Sequence, residues 1–388
     1  MTGLAFLGPA LAPNGGGWLR LVEEHARLVL AGDAAGADAE RVRSLLRLLD
    51  DTPPPGALTV ALIGYEAAVA LERRAPRAPR GPTLGPDVVV WRALPGTAPA
   101  RAPAYRPRLT PLPDARPRHL ARVAAARELL YDGVIYQANL AHRLAVAPAT
   151  RAQALGCLQS AVERAPPPCA AWLDVRGFGS VVSLSPERFV TVEAATRTAR
   201  SYPIKGTRPR GATPDEDGAL LVELCQSEKD AAEHVMIVDL LRNDLGRVAA
   251  AGGVTVERLL DVVSVDNVHH LESTVAARLG DGVTCSEVLA ATLPGGSITG
   301  APKSSAIEAI AALEDGPRGL YTGVLAVVDE RGDLRSSLLI RTWLRPDHGP
   351  GALHVGGGVV VDSEPEAEWA ETLAKARAFG DVGDVSAD

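Results

Sequence analysis

Only four of the chain's 40 basic residues are lysines: Lys205, Lys229, Lys303 and Lys375; the other 36 are arginines. Arginine is permanently charged, so a chain that writes its cations this way keeps lysine where a compact ammonium able to lose its proton is useful. The competing reading for each is an ordinary solvated lysine. Lys205 stands in Pro203-Ile-Lys-Gly-Thr207, where the apolar flank favours the neutral, nucleophilic amine.

Carboxylates form the second set. Between Ser227 and Asp244 the spacing of Asp230, Glu233, Ile237, Leu241 and Asp244 predicts a helix with Asp230 and Glu233 on one face near its start. Ser363-Glu-Pro-Glu366 has the pattern of a capping box and opens another helix. On it Glu364, Glu368, Glu371 and Lys375 fall on one stripe. Carboxylates on helical faces, without metal-spaced His or Cys, suit a hard cation such as magnesium. A solvated acidic face is the alternative. It is the better reading for Glu364 and Glu366, whereas the apolar neighbours Val235, Trp369 and Leu373 tilt Glu233, Glu368 and Glu371 toward a partly buried role.

Three glycine-rich segments suggest close backbone approach to an anion: Leu293 to Lys303, Gly356 to Gly358, and Lys205-Gly206-Thr207. The first is not a P-loop, because Ala301 and Pro302 separate Gly300 from Lys303 and the proline removes a donor, and Gly356 to Gly358 follows a strand but lacks the full dinucleotide fingerprint. A backbone nest before a helix from Ser304 would still hold a carboxylate.

The elements that must position these groups are legible in outline. Trp18 to Ala31 and Asp38 to Leu49 carry helical patterns, and Ala57 to Tyr65 a strand pattern ending in Gly64-Tyr65-Glu66. Arg73 to Arg118, rich in Pro, Arg and Ala, reads as a surface excursion or linker around one strand, Asp87 to Trp91. From His119 a helix leads into Val134 to Val146, and strands and helices alternate thereafter. We therefore divide the chain into an N-terminal layer, 1–118, part of the same fold, and a catalytic region, 119–382.

A 46% hydrophobic content with 22% charge is that of a globular protein with a sizeable core. The net charge of −7 and the scattered cations disfavour nucleic acid. Cys157, Cys169, Cys225 and Cys285 have no CxxC spacing, and no apolar stretch is long enough for a bilayer, so a reduced, cytoplasmic protein is expected.

Taken in order, the segments resemble the chorismate-utilising enzymes, a family that includes anthranilate, aminodeoxychorismate, isochorismate and salicylate synthases. They are Tyr136-Gln-Ala-Asn-Leu140, Ser185-Pro-Glu-Arg-Phe189, Pro203 to Arg210, Glu233 to Gly246, Val268-His-His-Leu271, Gly296 to Lys303, Ile340-Arg-Thr342, and Gly356 through Glu371 to Lys375. The N-terminal third matches more loosely, at Gly64-Tyr65-Glu66. The resemblance implies an α+β (α/β) fold of large, mostly antiparallel sheets packed together with helices outside.

By the same resemblance, Glu233, Glu368 and Glu371, with Asp230 through water, would form a Mg2+ shell bridging to the ring carboxylate of chorismate. Arg341, Tyr321 and Gly356, Gly357 and Gly358 would clasp the enolpyruvyl carboxylate. Lys375, Thr299 and Thr207 would hold substrate, Glu187 would be the general acid at the C4 hydroxyl, and His270 would stand beside the ring. Relatives that add water at C2 carry a lysine base where this chain has Gln137. Anthranilate synthases usually have alanine where Lys205 stands, so the resemblance is strongest to aminodeoxychorismate synthase component I, in which this lysine attacks C2.

No Gly-x-Cys-x-Gly glutaminase elbow occurs in the chain, so ammonia is expected from a separate glutamine amidotransferase or from free ammonium, and no fused lyase is expected. A Leu-Leu-Glu-Ser-type segment is also missing, which argues against bound tryptophan. The alternatives are an anthranilate or 2-amino-2-deoxyisochorismate synthase, or a non-catalytic regulatory subunit of an amidotransferase.

Overall fold

The computed structural model describes residues 3–12, 17–28, 39–72, 86–175, 177–265 and 268–383. Its strands join one hydrogen-bonded network, antiparallel throughout except where Asp381–Val382 lies parallel to Arg108–Pro111. The pairing runs as a path through both ends of the chain. Leu58–Ile63 pairs with Val324–Asp329 on one side and Val88–Pro95 on the other, and Val88–Pro95 continues to Gly17–Leu28 and Gly3–Leu7. The path folds back on itself, so Leu19, Leu21, Val60, Leu62, Val89, Trp91, Leu173 and Val327 meet in an interior layer. Helices cover the outer faces. Ile237, Val238 and Leu241 of helix Glu228–Gly246 pack on Val190, Val275 and Val324, and helix Arg151–Arg164 packs on Trp172, Val182 and Trp343. This is the expected α+β arrangement of antiparallel sheets with helices outside.

Three local expectations are corrected. The segment around Trp18 is the strand Gly17–Leu28, not a helix: Leu19 and Leu21 are buried and Arg20 is exposed, a period of two, with partner strands on both sides. The excursion contains an interior strand, since Val88, Val89 and Val90 of Val88–Pro95 are fully buried; residues 73–85 lie outside the described residues. Ser363 forms no capping box either. Its hydroxyl receives the Val360 N–H (3.0 Å) and donates to Glu368 (2.6 Å), and helix Pro365–Ala376 starts from Glu364 without a side-chain cap. No described helix is long and apolar enough to cross a membrane.

Candidate active site

Lys205 reaches its place through a bulge. Strand Ile204–Pro209 pairs with Val268–Leu279, but Lys205 opposes Leu271 while Thr207 opposes His270, so Gly206 is the extra residue and takes φ +70°. A bulge re-aims the flanking side chain. The Lys205 amine comes to lie where a Cβ on Gly358 would be 3.3 Å from Nζ and 2.4 Å from Gln137 Nε2. Gly358, Gln137 and Lys205 therefore enclose one small space that only glycine leaves open. Both amide atoms of Gln137 are buried without a hydrogen-bond partner among the described residues, so both are available to a third group. Burial lowers the Lys205 pKa from the ordinary lysine value; Glu233 and Glu187 oppose that shift and Lys375 adds to it.

Glu187 sits just before strand Arg188–Glu193 and is buried. Burial pushes its carboxyl up to about 7, against the Ser297 hydroxyl, which donates to Oε1 at 2.8 Å, and the cations of Lys205, Arg341 and Lys375. Ser297 carries this bond, a role that its place in the Gly296 to Lys303 motif does not reveal. Arg341 adopts a left-handed φ of +46°, and its exposed guanidinium makes no ion pair among the described residues. Burial lowers its pKa, opposed by Glu187, and a guanidinium stays charged in proteins all the same. It is a cation near Glu187 with no ion-pair partner among the described residues, suited to a carboxylate.

Strand Gly351–Val359 forms the floor. Gly356 could not carry a Cβ, which would stand 2.5 Å from Leu140 O and 2.8 Å from Tyr321 Oη; at Gly357 it would stand 3.0 Å from Glu368 Oε2. Lys375 donates to Gly356 O at 2.8 Å and pairs with Glu371 at 2.7 Å, tying helix Pro365–Ala376 to that floor. The stripe Glu368, Glu371, Lys375 does face a common partner, and the partner is the triple glycine. Glu364 and Glu366 are surface ion-pair partners of Arg127 and Arg116, as expected for a solvated face.

The acidic groups repel one another. Burial raises the Glu233 pKa, with Asp230 and Glu371 adding to it and Lys205 and Lys229 opposing; burial also raises that of Glu368, opposed by Ser363 and increased by Glu371. Glu371 is the shared neighbour. A set of oxygen donors whose mutual repulsion a cation would relieve fits magnesium in type. As they stand, however, no group of three or more His, Cys, Asp or Glu among the described residues is close enough to hold a metal ion. Lys375 engages Glu371 and Ser363 engages Glu368.

Other expected groups are otherwise engaged. Asp230 is paired with Arg208 at 3.1 Å. Thr299 donates its hydroxyl to Gly295 O at 2.8 Å, as part of the turn. Thr207 is exposed, and His270, whose charged neighbour is Glu272, hydrogen-bonds to neither Glu187 nor Lys205 among the described residues. The Leu293–Lys303 segment is no open nest: Gly300 and Ala301 pair with Ala138 and Gln137, and Lys303 starts the helix and donates to Asp244 at 2.5 Å. Val235 is exposed and contributes no apolar shelter. Of the four lysines, Lys205 and Lys375 meet at the site, Lys303 is a buried structural partner and Lys229 is a solvated cation beside Glu233.

The family model for chorismate binding enzymes matches residues 96–381. The chain belongs to that family. Among chorismate-binding relatives, it is 40% identical over 319 residues to an aminodeoxychorismate synthase of Streptomyces pristinaespiralis, covering 77% of this chain and 42% of that one. It is 43% identical over 260 residues to anthranilate synthase component 1 of Streptomyces coelicolor (66% and 50% covered) and 44% identical over 250 residues to aminodeoxychorismate synthase component 1 of Escherichia coli (64% and 54%). The chain thus spans about half the length of these curated relatives. In fold it is similar to anthranilate synthase component I of Streptococcus pneumoniae, with a TM-score of 0.78 at 22% identity, covering 93% of this chain and 91% of that one.

Proposed function

We propose that the chain is an aminodeoxychorismate synthase component that replaces the C4 hydroxyl of chorismate with an amine, on the path to p-aminobenzoate and folate. The observation that supports this best is the Lys205 amine, its pKa lowered by burial, beside Gln137 and Gly358 and across from Glu187. In this reading the neutral Lys205 amine bonds to C2, both ring double bonds shift, and the C4 hydroxyl leaves as water with the proton of Glu187. Ammonia then adds at C4, the double bonds shift back and Lys205 is released. The proton shed by the added nitrogen restores Glu187, and the enolpyruvyl group is retained throughout.

Glu187, pushed up to about 7, retains a proton to donate near neutrality, and burial of Lys205 shifts its balance toward the neutral amine. Gln137, an amide, cannot deprotonate water, so hydration at C2 finds no base there. Arg341, Tyr321 and Gly356 to Gly358 would hold the enolpyruvyl carboxylate, with Thr207, Thr299, Lys375 and His270 along the substrate. Glu233, Glu368 and Glu371 are the residues that would hold Mg2+, whose charge, when bound, neutralises the ring carboxylate. Ammonia would come from a separate glutamine amidotransferase or from free ammonium.

Anthranilate is the competing product, because anthranilate synthase relatives match at similar identity. Chorismate, Mg2+ and ammonium are mixed with the protein, with and without an added aminodeoxychorismate lyase, and products are identified by mass and fluorescence. The expected product is 4-amino-4-deoxychorismate, converted by the lyase to p-aminobenzoate. Anthranilate as the main product would overturn the reading.

A further inference from the structure

Arg318 is 2% exposed, and its guanidinium is shared among segments far apart in sequence. It donates to both oxygens of Glu314 (2.9 and 2.7 Å), to the Ile298 and Asn139 carbonyls (3.2 and 2.5 Å) and to the Thr322 hydroxyl (3.2 Å). The rings of Tyr65 and Tyr321 lie 4.7 and 5.7 Å from its cationic carbon. Its loop is gripped from the N-terminal layer. Glu66 receives the Arg318 and Gly319 backbone N–H groups at 2.8 and 3.0 Å, and Tyr65 N–H donates to Gly319 O at 2.8 Å. Glu66 lies outside the family-matched residues 96–381.

Besides Glu314, the other three acceptors of Arg318 each border a working part of the site. Ile298 follows Ser297, the donor to Glu187; Asn139 pairs with Gly358 in the ladder; Thr322 follows Tyr321, whose Oη stands against Gly356. A buried guanidinium costs desolvation that one carboxylate, Glu314, only partly returns, and apolar packing would fill such a place at least as stably. What apolar packing cannot do is fix three carbonyl- and hydroxyl-bearing segments at hydrogen-bond distances, since only the five-donor planar fork reaches all of them.

We propose that Arg318, anchored by Glu66, is a positioning residue of the chorismate site, setting the Ser297–Glu187 contact and the Tyr321–Gly356 floor together. This rests on the chorismate-amination reading for its kinetic consequences, though not for its effect on binding.

The test is Arg318→Ala and Arg318→Lys, scored by chorismate consumption, by the alkaline limb of kcat/KM, and by chorismate affinity in calorimetry. All are measured at the same interval below each variant's Tm. Arg318 lines a cavity of about 470 Å3 together with Arg122, His142 and His354, so a guanidinium from solution has a route to the vacated place. Misplacement of reacting groups by about 1 Å costs on the order of 100-fold, and Arg318→Ala is expected to lose kcat/KM to that extent. Methylguanidinium is expected to restore activity and methylammonium not to. Arg318→Lys, a point cation in place of a fork, is expected to retain the fold yet move the alkaline limb upward, because a loosened Ser297–Glu187 bond no longer lowers the Glu187 pKa.

Loss of Tm alone, with kcat, KM, pH profile and affinity unchanged, would overturn the proposal; if the alanine variant does not fold, the lysine variant decides it on the same readouts. If the wild-type protein consumes no chorismate, the functional reading fails, and calorimetry then judges the positioning claim: weaker chorismate binding by Arg318→Lys sustains it, and equal binding refutes it.

Discussion

Replacing Ser297 with alanine removes one hydroxyl, 2.8 Å from Glu187 Oε1, and leaves the cations of Lys205, Arg341 and Lys375 in place. That hydroxyl favours the ionised carboxylate. A hydrogen bond to a charged group contributes about 1.5–3 kcal/mol, which at about 1.4 kcal/mol per pKa unit is a change of roughly 1–2 units. Glu187, already pushed up to about 7 by burial, then titrates on the order of one to two units higher. Because Glu187 acts in its protonated form, the alkaline limb of kcat/KM for chorismate moves upward by the same amount, measured at constant free-ammonia concentration. Stability moves the other way. A carboxyl whose folded pKa is raised contributes its stability below the unfolded value and loses it as pH rises through the folded one, so Ser297→Ala matches wild type near pH 4.5 and is less stable above neutrality. An alkaline limb that stays put, or moves down, would refute the assignment of Ser297 and Glu187 as a pair.

Gly356→Ala sets a Cβ against Leu140 O and Tyr321 Oη; it is expected to cost about 1–3 kcal/mol by overpacking, read by denaturant melts, and to weaken chorismate binding in calorimetry. Lys303→Met strands the Asp244 carboxylate, 3% exposed, and is expected to destabilise by about 3–5 kcal/mol; a Tm within a degree of wild type would show that the pair is dispensable. Magnesium titrated into the protein without substrate is expected to raise Tm by relieving the repulsion among Glu233, Glu368 and Glu371. The rise should shrink in Glu371→Gln and persist in Asp230→Asn.

Local spacing carried the helices that bear the acids. Helix Glu228–Gly246 starts from Ser227, whose hydroxyl receives the Asp230 N–H, and the i, i+4 stripe of helix Pro365–Ala376 lands on the triple glycine. Lysine scarcity pointed to Lys205 and Lys375, but also to Lys303, because a buried ion pair selects lysine as firmly as chemistry does. The illegible part was what distance in sequence hides. Trp18 to Leu28 has enough apolar residues for a helical face, and only two partner strands make it extended. Ser297 and Glu187 are 110 residues apart, and Arg318 and Asn139 are 179 apart, so neither pairing leaves a periodic or motif signal. Thr299 and Ser363 show the reverse case: hydroxyls suited to a ligand or a cap that tertiary partners had already taken.

Covalent capture reports on the Lys205 nucleophile itself. Protein turning over chorismate at low ammonium is acid-quenched, and its intact mass and peptides are measured. An adduct of chorismate less one water is expected on the peptide containing Lys205, absent in Lys205→Ala even though that variant still binds chorismate. An adduct on another residue, or one undiminished in Lys205→Ala, would contradict Lys205 as that nucleophile.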